Sequence, residues 1–111
     1  RLDTARALLD LGVNISMEFI GNTMDVELAG EIWPSDWQRF AGIVTLLKEG
    51  YGGQMVMGTD LCVKMATRRF GGEGYCRLTK FALPTLRDIL GVSEYALHQM
   101  VVKNPARILA Y

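Results

Sequence analysis

The residue best placed to do chemistry in this sequence is a carboxylate at the end of a short apolar run. Residues 54–59, with Met55-Val56-Met57 at their centre, predict a buried strand, and Asp60 follows directly. A carboxylate that emerges at a strand end can ligate a divalent cation, and it can also accept a proton from water. Asp60 is therefore the candidate catalytic and metal-ligating residue. The competing interpretation is that Asp60 caps the loop that follows.

The polar loop over residues 61–74 supplies the candidate substrate-binding side chains, which are Cys62, Lys64, Arg68 and Phe70. The chain has 12 basic and 12 acidic residues, but residues 61–111 hold 8 of the basic and only 3 of the acidic ones. This half could attract an anionic partner, although a solvent-exposed basic surface is the simpler interpretation. The neutral total argues against a nucleic-acid partner.

Other chemistries lack the residues that they need. His98 is the single histidine, so the chain cannot build a metal site of several histidines by itself. Because that histidine is distant in sequence, Cys62 has no base to activate it as a nucleophile. Two cysteines are too few for a disulfide scaffold and are typical of a reducing compartment, so we expect a cytoplasmic protein. No apolar run approaches the ~20 residues that span a bilayer, and no membrane contact is expected.

Helices and strands alternate along the chain. Helices are expected at residues 3–11, 35–49 and 75–90, and a further helix begins at Ser93. Ser35 is the expected N-cap of the second of these helices. Strands are expected at residues 13–19 and 54–59. Pro84 should kink or divide its helix, and Asn104-Pro105 predicts an N-cap followed by proline at the start of a separate final turn. The order of elements is typical of an α/β protein with a parallel sheet.

The predicted sheet is incomplete. A length of 111 residues corresponds to one domain, yet two parallel strands are too few to form a stable sheet. The remaining strands must therefore lie outside this chain or come from a partner. The apolar faces of these strands have too few neighbours within the chain to cover them. We therefore expect the isolated chain to self-associate, as a homodimer or a larger assembly.

Three motifs in a fixed order resemble the phosphotriesterase family, which belongs to the amidohydrolase superfamily of metal-dependent hydrolases. They are MGTDLC at residues 57–62, FGGEGY at residues 70–75 and NPARIL at residues 104–109. Residues 9–18 and the LLKEGY segment at residues 46–51 are similar to the approaches to strands seven and eight of the family's barrel. The similarity covers essentially the whole chain, and the three motifs together are far more specific than any one of them.

The resemblance implies that residues 1–111 are the C-terminal portion, about the last two βα units, of a (β/α)8 TIM barrel. Of the family's metal ligands only Asp60 is present, at the end of strand eight. The others, several histidines and a carboxylated lysine or a glutamate, belong to earlier strands. The family usually has aspartate where this sequence has Glu18.

The implied activity is hydrolysis of a lactone, phosphotriester or related small-molecule ester by a hydroxide held between two divalent metal ions, of the zinc type. This chain alone is expected to be inactive because most of the ligands are absent. An alternative of a different class is a non-catalytic binding or interaction module, that is, a barrel fragment or a homologue without the metal site.

Overall fold

The computed structural model describes residues 2–21 and 34–110, which form an α/β arrangement with a two-stranded sheet. In chain order the elements are α1 (Leu2–Asp10), β1 (Ile15–Met17), α2 (Asp36–Lys48), β2 (Met55–Met57), α3 (Leu83–Asp88), α4 (Glu94–His98) and α5 (Asn104–Leu109). Single π-helical segments precede α3 and α5, at Leu78–Ala82 and Gln99–Lys103. Short 3-10 turns lie at Tyr51–Gln54, Lys64–Ala66 and Arg68–Phe70.

The predicted parallel sheet is confirmed. Strands β1 and β2 run parallel, with Ile15 opposite Met55 and Met17 opposite Met57. The pairing continues beyond the strands, because Gly58 N donates to Met17 O at 3.1 Å and Ile20 N donates to Gly58 O at 3.3 Å. Both strands are shorter than the sequence pattern suggests, since the chain turns at two residues with positive φ, Phe19 and Asp60. The carboxyl ends of both strands therefore lie together at one end of the sheet.

Helix α2 follows its sequence signals closely. Ser35 is the predicted N-cap, and its hydroxyl accepts from Gln38 N while Gln38 Oε1 accepts from Ser35 N at 2.8 Å, which is a capping box. Gly50 adopts a left-handed conformation just after the helix. The buried side of α2 includes Phe40, Ile43 and Leu46, which pack in one core with residues of α1, β2 and α3. Helix α2 thereby shares its core with the sheet.

The two prolines of the C-terminal half follow π-helical turns. Pro84 does not end its helix, because the wider turn at Leu78–Ala82 precedes it and the backbone continues as α3. Pro105 likewise follows a π-helical turn, at Gln99–Lys103, and the backbone continues as α5. The prediction that Asn104 is an N-cap is wrong, since Asn104 has helical φ and ψ and α5 continues the helix that begins at Ser93. A π turn spaces the backbone donors and acceptors more widely, which accommodates the missing proline N–H.

Within the described ranges, no helix is long and apolar enough to cross a membrane.

Candidate functional site

The carboxyl ends of β1 and β2 bring two acidic residues to the same end of the sheet. Glu18 follows β1, and its carboxylate accepts a hydrogen bond from the Ser16 hydroxyl. The same carboxylate lies against the α-carbon of Gly58, where any Cβ would collide with it. Glycine at position 58 therefore lets the Glu18 side chain lie across the end of β2.

Asp60 is exposed at the end of β2 and has a φ of 42°, a left-handed conformation that is uncommon for a residue with a side chain. It makes no hydrogen bond or ion pair to any residue of the described ranges, so the loop-capping interpretation has no hydrogen bond to support it. Strained backbone is often found where a side chain must be presented to a ligand. With respect to the described residues, both oxygens of the Asp60 carboxylate are thus available as ligands.

The loop after Asp60 is compact. Gly72 N donates to Thr67 O at 3.1 Å and Gly74 N donates to Ala66 O at 2.9 Å, which folds the loop back on its own 3-10 turns. A Cβ at Gly72 would overlap the Ala66 backbone. Glycine at position 72 is therefore required by the close approach of two backbone segments.

The four predicted substrate-binding residues separate into different surroundings. Lys64 Nζ lies 4.6 Å from the Phe70 ring centroid, and the Arg69 guanidinium lies 5.8 Å from the same ring. Arg68 points away from this group into a cleft beside the helix that follows. Cys62 is an exposed free thiol. Only Lys64 and Phe70 are thus brought together.

A buried charged cluster lies close behind this end of the sheet. Asp36 Oδ1 accepts from Gly21 N at 3.0 Å, and Asp36 Oδ2 accepts from Arg77 Nε at 3.3 Å and from Arg77 Nη2 at 3.1 Å. Arg39 Nη1 is 3.6 Å from Asp36 Oδ1 and makes no hydrogen bond within the described part of the chain. Burial lowers the pKa of the Arg39 guanidinium, and the Asp36 charge opposes that change. The cluster ties the turn after β1 to α2 and to the end of the loop.

The sequence analysis missed this cluster. Arg39 shares the inward face of α2 with Ile43 and Leu46, and that i, i+4, i+7 spacing was the available signal that it is buried. The role of Arg77 depends on a contact with Asp36 across 41 positions of the sequence, which no local pattern reveals.

A polar network holds the opposite end of the sheet. Asn104 Nδ2 donates to Gly52 O and to Met55 O, both at 2.7 Å, and Arg107 Nη2 donates to Gly53 O at 2.8 Å. A groove of about 630 Å³ also opens at this end, lined in part by Gly52, Gly53 and Gln99. Because the amino ends of both strands lie here, this end of the sheet is opposite the end that carries Asp60. Its polar network stabilises the fold.

The described residues do not form a metal site by themselves. In residues 2–21 and 34–110 there is no group of three His, Cys, Asp or Glu side chains that could hold a metal ion. The exposed Asp60 carboxylate has the right chemistry for one ligand of a divalent cation, and Glu18 reaches the same end of the sheet. Further ligands must come from other residues.

The comparisons with known proteins identify the class of protein to which this arrangement belongs. The sequence profile of the phosphotriesterase family matches residues 1–109. The chain therefore belongs to the phosphotriesterase family.

Particular relatives agree with this assignment. The chain is 28% identical over 117 aligned residues to the N-acetyltaurine hydrolase of Tetraodon nigroviridis, covering 96% of this chain and 33% of the relative. It is 36% identical over 77 residues to a phosphotriesterase-related protein of Drosophila melanogaster, which is 69% of this chain and 22% of the relative.

Solved structures share the fold of the chain. A resiniferatoxin-binding protein from Rhodobacter sphaeroides superposes with a TM-score of 0.87 at 34% identity, over 96% of this chain and 30% of that one. The organophosphorus hydrolase from Deinococcus radiodurans superposes with a TM-score of 0.75 at 27% identity, over 97% of this chain and 34% of that one. The chain thus spans about a third, or less, of the length of the proteins that it matches.

Proposed function

We propose that residues 1–111 are the last two βα units of a (β/α)8 barrel whose complete form is a metal-dependent hydrolase. The parallel pair of strands, the helices beside it and the threefold greater length of the matched proteins support this proposal. In such barrels the reacting groups lie at the carboxyl ends of the strands, which is where this chain places Asp60.

The observation that carries the proposal is the state of the Asp60 side chain. It is exposed, it has no partner within the described residues, and its backbone is held in a left-handed conformation. In the complete barrel Asp60 would be one of the ligands of a divalent metal centre, of the zinc type and with two ions. Its carboxylate would also be the group that accepts a proton during hydrolysis and passes it to the leaving group.

A bound divalent cation would polarise the scissile bond of the substrate and make water nucleophilic near neutral pH. Asp60 alone cannot hold such an ion, because a metal site needs several ligands. We infer that this chain by itself is inactive and that earlier strands supply the missing ligands. The free thiols of Cys62 and Cys76 favour a cytoplasmic protein.

The substrate class proposed is a small lactone, phosphotriester, carboxylic ester or amide. Its support is that relatives are named N-acetyltaurine hydrolase and organophosphorus hydrolase. Lys64 and Phe70, stacked in the loop that follows Asp60, are the candidates for contact with the substrate, together with Arg68 and Cys62. The basic side chains of this loop favour substrates that carry a negative charge.

The second candidate function is that of a non-catalytic binding module. Two observations favour it: the described residues do not contain a metal-holding group, and one structural relative is a resiniferatoxin-binding protein. In that case the same end of the sheet would bind a small ligand without hydrolysing it.

The experiment that separates these functions is metal analysis with a substrate panel. The complete protein that contains this chain is purified, its zinc content is measured, and it is assayed with a γ-lactone, an aryl ester, a dialkyl aryl phosphate and an N-acyl taurine. The hydrolase proposal predicts about two metal ions per chain and turnover of at least one substrate that a chelator abolishes. A metal-free protein that binds these compounds without turnover would establish the binding module.

A further inference from the structure

A small cleft beside the loop gathers three cationic side chains. The cleft, of about 240 Å³, is lined by Arg68, Glu73, Cys76, Arg77, Lys80 and Phe81, and we call it the basic cleft. Its lining therefore carries three positive charges and one negative charge. Arg77 and Lys80 lie one helical turn apart, so their charges repel each other across the cleft.

The central guanidinium of the basic cleft is fixed in place. Arg77 is held on one side by Asp36 and on the other by Glu73, whose carboxylate is 3.3 Å from Nη1. The Phe81 ring lies under it, 3.5 Å from Cζ to the ring centroid. A guanidinium that is already immobile loses little conformational entropy when it binds a ligand.

The other two cations have no counter-charge. Arg68 and Lys80 make no ion pair with any residue that the structure describes, whereas the charge of Arg77 is met by Asp36 and Glu73. The stem of Arg68 passes Gly74 so closely that a Cβ there would be 2.8 Å from its Cγ. The lack of a side chain at Gly74 thus allows Arg68 to reach the cleft.

The basic cleft lies at the same end of the sheet as Asp60. Arg77 reaches Asp36, and Asp36 binds Gly21 N in the turn that follows β1. We propose that the basic cleft binds the oxyanion group of a small molecule, such as a sulfonate, phosphate or carboxylate. The assignment of the charged end of a substrate to the basic cleft rests on the proposed function. The binding of an anion in the cleft does not.

Two exposed thiols make the proposal testable without any assay of hydrolysis. Cys76 lines the basic cleft, and Cys62 is an exposed thiol that does not line it, so it serves as an internal reference. The complete protein that contains this chain is labelled with an uncharged aromatic disulfide at constant ionic strength, with methanesulfonate or inorganic phosphate replacing chloride. The rate at each cysteine is followed by mass spectrometry of the peptides.

The proposal predicts selective protection of Cys76. At an anion concentration about ten times its Kd, occupancy should slow labelling of Cys76 by roughly tenfold and leave Cys62 unchanged. The double substitution Arg68→Gln and Lys80→Gln should remove the protection without disturbing the Arg77–Asp36 pair. Lys48→Gln, at an exposed position outside the cleft, is the matched control and should retain it.

Three results would overturn the proposal: no protection of Cys76 by either anion, equal protection of both cysteines, or full protection in the folded double variant. None of them bears on whether the complete protein is a hydrolase, because no turnover is measured. Conversely, protection in a protein that lacks hydrolase activity would establish an anion site in a binding module.

Discussion

At the scale of single residues, the side chain with the most specific structural role is the amide of Asn104. It is 3% exposed, and its two N–H groups bind the carbonyl oxygens of Gly52 and Met55 at the start of β2. The sequence analysis interpreted Asn104 as a helix cap because Asn-Pro often begins a helix. The true partners lie about fifty positions away, so a local pattern cannot reveal them.

Replacing this amide by an isosteric carboxylate should be costly. Asn104→Asp removes both donors at pH 7 and places a negative charge against two carbonyl oxygens, so we expect a loss of about 3 kcal/mol or more in the free energy of unfolding. The loss should shrink in acid, where the neutral acid regains one donor. Chemical denaturation at pH 7 and pH 4 measures both effects.

The matched control is Asn14→Asp, because Asn14 is exposed and its side-chain oxygen accepts from Arg107 Nη2 at 2.8 Å. A charge at this position should change the stability by less than about 1 kcal/mol. Equal effects of the two substitutions would show that the buried amide does not hold the strand.

At the scale of elements, the conformation of the loop over residues 61–74 depends more on Gly72 than on the neighbouring Gly71. In Gly72→Ala the new Cβ meets the Ala66 backbone, whereas Gly71 has φ of 91° and open space around it. Overpacking of this kind costs about 2 kcal/mol, which should speed tryptic cleavage within the loop roughly thirtyfold. Gly71→Asn, which tolerates the left-handed conformation, should leave the cleavage rate within a fewfold of the parent. Similar rates for the two variants would contradict this account of the loop.

Helix α1 is attached to the end of α2 by an ion pair that gives a pH dependence. Arg6 Nε and Nη2 donate to the two carboxylate oxygens of Glu49, at 2.9 and 2.8 Å. These hydrogen bonds lower the pKa of Glu49 below its ordinary value of 4.5. A lowered pKa in the folded state means that the contribution to stability is present above the ordinary pKa and is lost as pH falls through the folded one.

The difference in Tm between the parent and Arg6→Gln should therefore be constant near neutral pH, should decline below the ordinary pKa of 4.5, and should vanish once the pH is below the lowered pKa of the folded state. Thermal melts of both proteins from pH 7 to pH 3 measure it. The control is Arg69→Gln, which removes an exposed arginine that makes no ion pair with any described residue, so its Tm difference should not change over this pH range. A difference that grows in acid would mean that the Arg6–Glu49 pair does not stabilise the fold.

The elements themselves were largely predictable. The Ser35 cap and the parallel order of the strands follow from local patterns, and the structure confirms them. The strand lengths were overestimated because alternation continues through residues whose backbone leaves the sheet, as Phe19 does with φ of 62°. The two π turns have no local signature other than the proline that follows each of them.

At the scale of the whole molecule, the sheet has too few strands to cover itself. Within the described ranges each strand pairs only with the other, so each keeps one open edge. Large apolar side chains such as Leu11, Ile89 and Leu109 are more than two-thirds exposed. Open strand edges and exposed apolar surface both favour association.

We therefore expect the isolated 111-residue chain to form dimers or larger assemblies in a concentration-dependent way. Sedimentation velocity over a hundredfold range of concentration tests this expectation. A monodisperse monomer with a cooperative thermal transition would contradict it, and would also count against the proposal that this chain is part of a barrel.

The candidate site was only partly predictable for the same reason. Asp60 could be proposed from the sequence because a carboxylate follows a short apolar run and because the surrounding MGTDLC motif resembles that of the family. The cluster of Asp36, Arg39 and Arg77 could not, because its members come from different elements and meet only in the folded chain. A sequence pattern identifies the side chains that lie on one face or at one end of a single element. The packing of elements against each other decides which side chains come into contact.

The most direct test of the central claim, that Asp60 serves a metal-dependent hydrolase, is the effect of Asp60→Asn in the complete protein. The substitution keeps the size of the side chain but removes its charge and its ability to accept a proton. Metal content and steady-state kinetics are measured for the parent, for Asp60→Asn and for Glu94→Gln, a control carboxylate that pairs with Arg87 outside the basic cleft. We predict a fall in kcat of about 10²–10⁴-fold with loss of bound metal for Asp60→Asn alone, and a change in stability below about 2 kcal/mol. Near-normal kcat and metal content in the folded Asp60→Asn protein would contradict the claim.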